Sequence, residues 1–373
     1  MEVPDIIQEK SGGTMKVVMI GADRSVKGGV SAVVNNLYAA GLEEQIDLKY
    51  IGTMVDGSKL RKALQAAIAL VKFVLAMPGC DIVHVNLAAD ASCLRKMLFM
   101  KVAGFFHKKI LIHSHGGDFQ GFYYERCSEK KRQKVKAALN RADLFLVLSE
   151  EWKTFFSQIV EPSKIHVLQN AIPIPAQAKN DYSSHKAVFL GRLCKEKGIG
   201  ELLEAMPRIR QEISDFELIL GGFWEAGNEQ LERKADALKD VVGCPGWVSP
   251  KEREQLFQEC SIFVLPTWFE GQPVSLLEAM AAGMCVAASA VGGIPQILGA
   301  GELGGSEDAL PCSTGMLLPA KNPQALADAL ISLLKDEALR KQMGQQARAR
   351  IQKEYDIQNY IGKLLAYYRK LAH

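Results

Sequence analysis

The chain has 373 residues, 48% hydrophobic and 23% charged, with a formal net charge of +3. That length suits two domains rather than one core, and the composition excludes a disordered or collagen-like chain and gives no reason to expect nucleic-acid binding. The charge is uneven: residues 1–180 carry 24 Lys and Arg against 17 Asp and Glu, whereas 181–373 carry 21 against 25.

Residues 1–14, "MEVPDIIQEKSGGT", contain early acids and no long apolar core, so they read as a loose tail and not as a secretory signal. Short apolar runs then alternate with amphipathic helical stretches: "MKVVMIG", "IDLKYIG", "DIVHVNL", "KILIHSH", "DLFLVLS" and "KIHVLQN" read as strands. This predicts a first α/β domain over 15–180 with a mostly parallel sheet. Between Lys59 and Lys109 nine basic residues and two acids are interleaved with apolar segments. Two readings stand there: a face for an anionic membrane or carrier, or a solvated basic rim on two buried helices. No run reaches the ~20 apolar residues of a membrane span. The eight cysteines form no C-x-x-C pair, which suggests neither a zinc site nor a disulfide framework and favours a reducing, cytoplasmic setting.

The stretch 170–185, rich in Pro, small and polar residues, reads as a linker. Alternation restarts with "AVFLG", "FELILGG", "SIFVLP", "MCVAAS" and "GMLLP", predicting a second Rossmann-like domain over 181–355. A last amphipathic helix, 356–373, is expected to pack back on the first domain. Two doubly wound domains would set the carboxyl ends of two sheets across one cleft, where ligands of such sheets bind.

Functional candidates are therefore sought just after strands. Gly28 and Gly29 precede a helix after the first strand, where backbone amides can approach an anion; neither a dinucleotide fingerprint nor a P-loop is present. His113 and His115 share one side of a strand that ends in Gly116 and Gly117. Arg192 and Lys197 follow "AVFLG", two cations suited to a diphosphate. Glu270 lies in the turn after "SIFVLP", and Glu278 lies about one and a half turns into the next helix among apolar neighbours, so it must be paired or face a ligand. No Asp-x-Asp pair or metal-spaced histidine cluster occurs, so protein cations would have to stabilise a phosphate leaving group.

Together "GGV", "DIVHVN", "HGGDF", "VLQNAIP", "GRLCKEKG" and the E-x7-E element Glu270 to Glu278 followed by "AMAAG" resemble, in order, the retaining GT-B glycosyltransferases of group 1, also called glycosyltransferase family 4. The resemblance covers Met15 to about Tyr368. It implies two Rossmann-like domains facing a cleft and transfer of a sugar from a nucleotide diphosphate with retention. No metal or other cofactor is implied. Arg192 and Lys197 match diphosphate-binding positions, Glu278 the ribose position, Glu270 and His115 positions beside the donor sugar, and Gly29 the loop near the diphosphate. Segment 245–250, with Trp247, matches one that meets the base. Gly271 and Gln272 stand where relatives carry a glycine and an aromatic residue, a departure that bears on donor identity. Acceptor choice should lie in the first domain, and its +7 balance with the basic, apolar stretch 95–109 leads to the expectation of a glycan or lipid-linked glycan acceptor at the inner face of the cell membrane, in cell-surface polysaccharide synthesis. Rival readings are a nucleotide-sugar epimerase or hydrolase, or an idle binding partner, on the same scaffold.

Overall fold

The computed structural model describes residues 14–300 and 306–372; the tail expected over 1–14 lies outside them except for Thr14. Six parallel strands make the first sheet: β1 (Lys16–Gly21), β2 (Asp47–Gly52), β3 (Ile82–Leu87), β4 (Lys109–Ser114), β5 (Leu144–Val147) and β6 (Ile165–Val167). Their order is β2-β1-β3-β4-β5-β6. The near-continuous apolar runs follow from this, because β3 and β5 are buried along their whole length.

The second sheet holds β7 (Lys186–Leu190), β8 (Glu217–Gly221), β9 (Val242–Gly246), β10 (Ile262–Leu265), β11 (Cys285–Ser289), β12 (Leu310–Cys312) and β13 (Gly315–Leu318). They lie in the order β12-β13-β11-β10-β7-β8-β9, parallel except for the β12–β13 pair. Leaving out β12, this is the strand order of a doubly wound dinucleotide-type sheet, with its reversal between β7 and β10. The first sheet reverses between β1 and β3.

Two strands were not expected from sequence. Strand β9 reads "VGCPG", with two glycines and a proline that give no alternation, and it joins β8 through a register irregularity. The three-residue β12 is a half-exposed edge.

One apolar cluster fills the second domain. The first sheet has a core on each face, and one of these includes Ile357, Tyr360, Ile361, Leu364, Leu365, Tyr368 and Leu371 of the Ile357–Ala372 helix. The chain therefore crosses between domains twice, and the crossings touch: the Ile172 N–H donates to the Tyr355 carbonyl at 3.0 Å, and the Ile357 N–H donates to the Ile172 carbonyl at 3.1 Å. Among the described residues no helix is long and apolar enough to cross a membrane.

Candidate active site

The site is built where both sheets reverse. In the first domain β3 ends at Asn86 and Leu87, and β4 runs out into His115 and Gly116. The Asn86 Nδ2 donates to the Ile20 carbonyl at 3.2 Å, which turns its Oδ1 toward His115 Nε2 at 2.8 Å. An amide oxygen only accepts, so Nε2 carries the proton and Nδ1 presents a lone pair. That Nδ1 is buried and has no partner.

Behind His115 the rings of His113 and His84 continue inward, with centroids 4.4 Å and 5.8 Å apart along the row. Tyr368 and Tyr360 of the final helix reach the Nδ1 atoms of His84 and His113 at 2.6 and 3.4 Å. Burial pushes the pKa of all three imidazoles down, to about 4 for His113, and the neighbouring histidines add to the effect at His84 and His115. His115 is thus a neutral hydrogen-bonding group, and His113 is a core residue.

The second domain meets this edge through Gly271. A Cβ at Gly271 would lie 2.9 Å from the His115 carbonyl oxygen, and one at Gly116 would lie 2.8 Å from the Gly271 Cα. Gly116 also has φ +70°, so two glycines permit the loop "HGGDF" to touch the loop "FEGQPV". Gln272, expected from the resemblance at the donor, is buried instead. Its Oε1 accepts from the Asn170 N–H, and its carbonyl accepts from Asn170 Nδ2 at 3.0 Å, which ties the loop to the end of the first domain.

Glu270 turns the other way, to Lys197. Their ion pair closes the switch between β7 and β10, with side chains only 17% (Lys197) and 15% (Glu270) exposed. Lys197 is placed by the Lys195–Lys197 turn and Gly198, whose φ of +75° and tight approach to Pro266 leave no room for a Cβ. Arg192 lies on the same loop. It pairs through Nη1 with both oxygens of Glu225 at 2.9 and 2.7 Å, with the guanidinium more than half exposed. Such an exposed pair contributes little to stability and can be exchanged for another anion.

In the first domain, after β1, begins the Gly29–Ala39 helix. It has no side-chain cap and no acid in its first turn, and nothing lies within 4 Å of where a Cβ on Gly28 or Gly29 would stand. Its first amides face open space, a setting that suits an anion. Just before it, Lys27 Nζ reaches across to the second domain and sits 4.1 Å from the Phe223 ring centre and 4.9 Å from that of Trp247. The two rings stack at 5.7 Å and are each about half exposed.

Glu278 stands apart from this group. Its oxygens take Arg253 Nη1 at 2.8 and 2.9 Å, so the expected partner is a protein cation. Burial pushes its carboxyl pKa up, with Arg253 opposing. It borders a cavity of about 760 Å³ between the linker and the Pro250–Glu259 helix, which neither Arg192, Lys197, Glu270 nor His115 lines. Among the described residues no group of three or more His, Cys, Asp or Glu side chains is arranged to hold a metal.

Asn86, Lys27, Phe223, Glu225 and Arg253 were not singled out from sequence. Asn86 had a signal, since it follows His84 by two on one face of a strand and pairs in register with His113. The others are brought in from distant segments.

Residues 173–350 match the family model described as "Glycosyl transferases group 1". That match runs from the linker through most of the second domain. The chain is 29% identical over 205 residues to the amylovoran biosynthesis glycosyltransferase AmsK of Erwinia amylovora, a match covering 53% of this chain and 46% of that one. It is 27% identical over 240 residues to an alpha-maltose-1-phosphate synthase of Mycobacterium tuberculosis, covering 57% and 58%. The chain thus spans about half the length of these relatives. Sucrose-phosphate synthase from Thermosynechococcus elongatus superposes with a TM-score of 0.75 at 20% identity, covering 96% of this chain and 99% of that one. Anabaena HepE in complex with UDP-glucose superposes with a TM-score of 0.73 at 16% identity, covering 95% and 100%. At these identities the likeness is one of fold, and the fold is GT-B.

Proposed function

We propose that the protein is a retaining glycosyltransferase that moves a sugar from a nucleotide diphosphate sugar to a glycan or lipid-linked glycan in cell-surface polysaccharide assembly, at the inner face of the cell membrane and without a metal. The observation that carries this reading is the pair of cations at the β7/β10 reversal, Arg192 and Lys197, together with an uncapped helix start at Gly28 and Gly29 whose neighbour Lys27 touches the Phe223 and Trp247 rings of the second domain. A diphosphate between them would replace Glu225 on Arg192 and take up amide hydrogen bonds, so the charge that develops on the leaving group meets donors already in place. The lone pair of His115 Nδ1 would accept from a sugar hydroxyl.

Retention follows if the acceptor attacks from the face the diphosphate leaves, with a donor phosphate oxygen taking its proton. Glu270 is held by Lys197, which suits it to positioning rather than to attack. Trp247 and Phe223 would offer a stacking shelf to the base, and Glu278 would turn from Arg253 to the ribose. The name of the amylovoran relative and the UDP-glucose in the HepE crystal favour a polysaccharide acceptor and a uridine donor.

The test is donor turnover in EDTA with and without glycan acceptors, with the product anomer read by NMR. Acceptor-dependent transfer with retained configuration is expected. Full-rate donor consumption without acceptor, or an inverted product, would contradict the proposal.

A further inference from the structure

The Lys59–Ala76 helix is amphipathic in the wrong sense for a surface helix. Only Ala69 and Phe73 are buried along its 18 residues. Its outer face carries Leu60, Leu64, Ile68, Val71 and Leu75, which are 80, 60, 40, 61 and 75% exposed. These five recur at helical spacing, so they form one stripe down a helix roughly 27 Å long. A stripe rather than scattered residues is what distinguishes a contact surface from ordinary exposed leucines.

The stripe continues on the neighbouring helix. Phe73 packs edge-on against Phe99 of the Asp90–Phe105 helix, at 5.1 Å between ring centres. That helix turns Leu94, Leu98 and Phe105 outward, with Phe105 77% exposed. The Glu129–Leu139 helix packs on its other side. All three helices cover the same face of the first sheet, opposite the face taken by the final helix.

Charge decides what such a face fits. The Lys59–Ala76 helix holds four basic residues, Lys59, Arg61, Lys62 and Lys72, and no acid. The Glu129–Leu139 helix holds five basic residues and one acid. Two copies of this chain meeting through the face would set these cations against one another, since a two-fold interface pairs a patch with itself. A surface that is apolar along its crest and cationic on its flanks fits the head-group region of an anionic bilayer.

We infer that the protein docks on an anionic phospholipid surface through this face, with the Lys59–Ala76 helix lying in the plane of the interface. The helix starts at Ser58, soon after the carboxyl end of β2, so Leu60 lies at the cleft end of the stripe. A docked chain would therefore hold the cleft mouth of its first domain at the lipid boundary, where a lipid-anchored acceptor resides. The docking itself does not rest on the proposed transfer reaction.

The test uses the whole chain with phosphatidylcholine vesicles made with and without phosphatidylglycerol. Co-flotation with the anionic vesicles at low salt is expected, weakened by high salt, with little on neutral ones. The double variant Leu64→Glu, Val71→Glu should keep its melting temperature and donor binding yet lose vesicle affinity by about tenfold or more. Tryptophan emission of Leu64→Trp should shift to the blue on anionic vesicles. Absence of flotation, equal flotation on neutral vesicles, or unchanged binding by the double variant would overturn the proposal. A dimer in gel filtration that the double variant breaks, with no flotation, would assign the face to a second copy and also overturn it.

Discussion

Lowering the pH below neutrality should destabilise the first domain through its buried histidines. His113 is held to about 4, against 6.5 for a free imidazole. In the unfolded chain it takes a proton near pH 6.5, whereas in the fold it stays neutral, so the unfolded state binds more protons and stability falls with pH. Between pH 6.5 and about pH 5 this linkage removes about 2 kcal/mol from His113 alone. His84 and His115 are depressed further for the same reason, burial beside other imidazoles. The same linkage therefore acts at all three rings in one direction, as coupled rather than independent titrations. Glu278 acts with the opposite sign, because its raised pKa lets the fold keep a proton that the unfolded chain gives up. Urea unfolding at several pH values between 7 and 5, with imidazole shifts followed by NMR, measures both quantities. A midpoint that does not move across that range, or a His115 ring titrating near 6.5, would refute the buried neutral row.

Further outcomes follow from other contacts. Asn86→Ala should release the His115 tautomer and lower kcat about tenfold to a hundredfold with the melting temperature little changed, while Asn86→Asp, which keeps the acceptor, recovers part of it; a rate equal to wild type would show that the tautomer does not matter. Gly116→Ala places a Cβ 2.8 Å from Gly271 at a left-handed φ, and should cost about 1–3 kcal/mol and weaken donor binding by forcing the loops apart; unchanged calorimetry would remove the close contact from the account. Arg253→Met leaves the Glu278 carboxylate without its cation, a loss of about 1–3 kcal/mol at pH 7 once Arg253 exposure is allowed for, and smaller at pH 5, because burial raises the Glu278 pKa and so favours its neutral form as the pH falls. Equal losses at both values would mean the pair is not what Arg253 supplies.

Apolar runs such as "DIVHVNL" and "SIFVLP" announce parallel strands because both faces of each sheet are covered, so no polar alternation interrupts them. Strand β9 was illegible for the reverse reason: in "VGCPG" only Val242 is buried in the core, and the other four residues give no apolar pattern to read. At the site, Arg192, Lys197, Glu270 and Gly29 were findable because the carboxyl ends of strands are read directly from where apolar runs stop. What each one touches was not. Glu225 lies 33 residues from Arg192, and Arg253 lies 25 from Glu278, distances bridged only by the winding of the sheet. Gln272 illustrates a different limit, since position in a motif does not say which way an amide turns. The basic, apolar stretch from Lys59 to Lys109 did not reveal which of its apolar residues face outward, because helical spacing gives a stripe without saying which side faces the sheet.

Binding of nucleotide sugars in EDTA, followed by calorimetry with wild type and Arg192→Ala, tests the central claim most directly. UDP-, GDP- and ADP-sugars are compared, with the free diphosphates beside them. The account predicts saturable binding of one nucleotide class, with melting stabilised by about 2.7 kcal/mol at ~100 times the dissociation constant, and loss of most of that affinity in Arg192→Ala. Binding that requires an added divalent metal, or that Arg192→Ala leaves intact, would contradict a site built on protein cations.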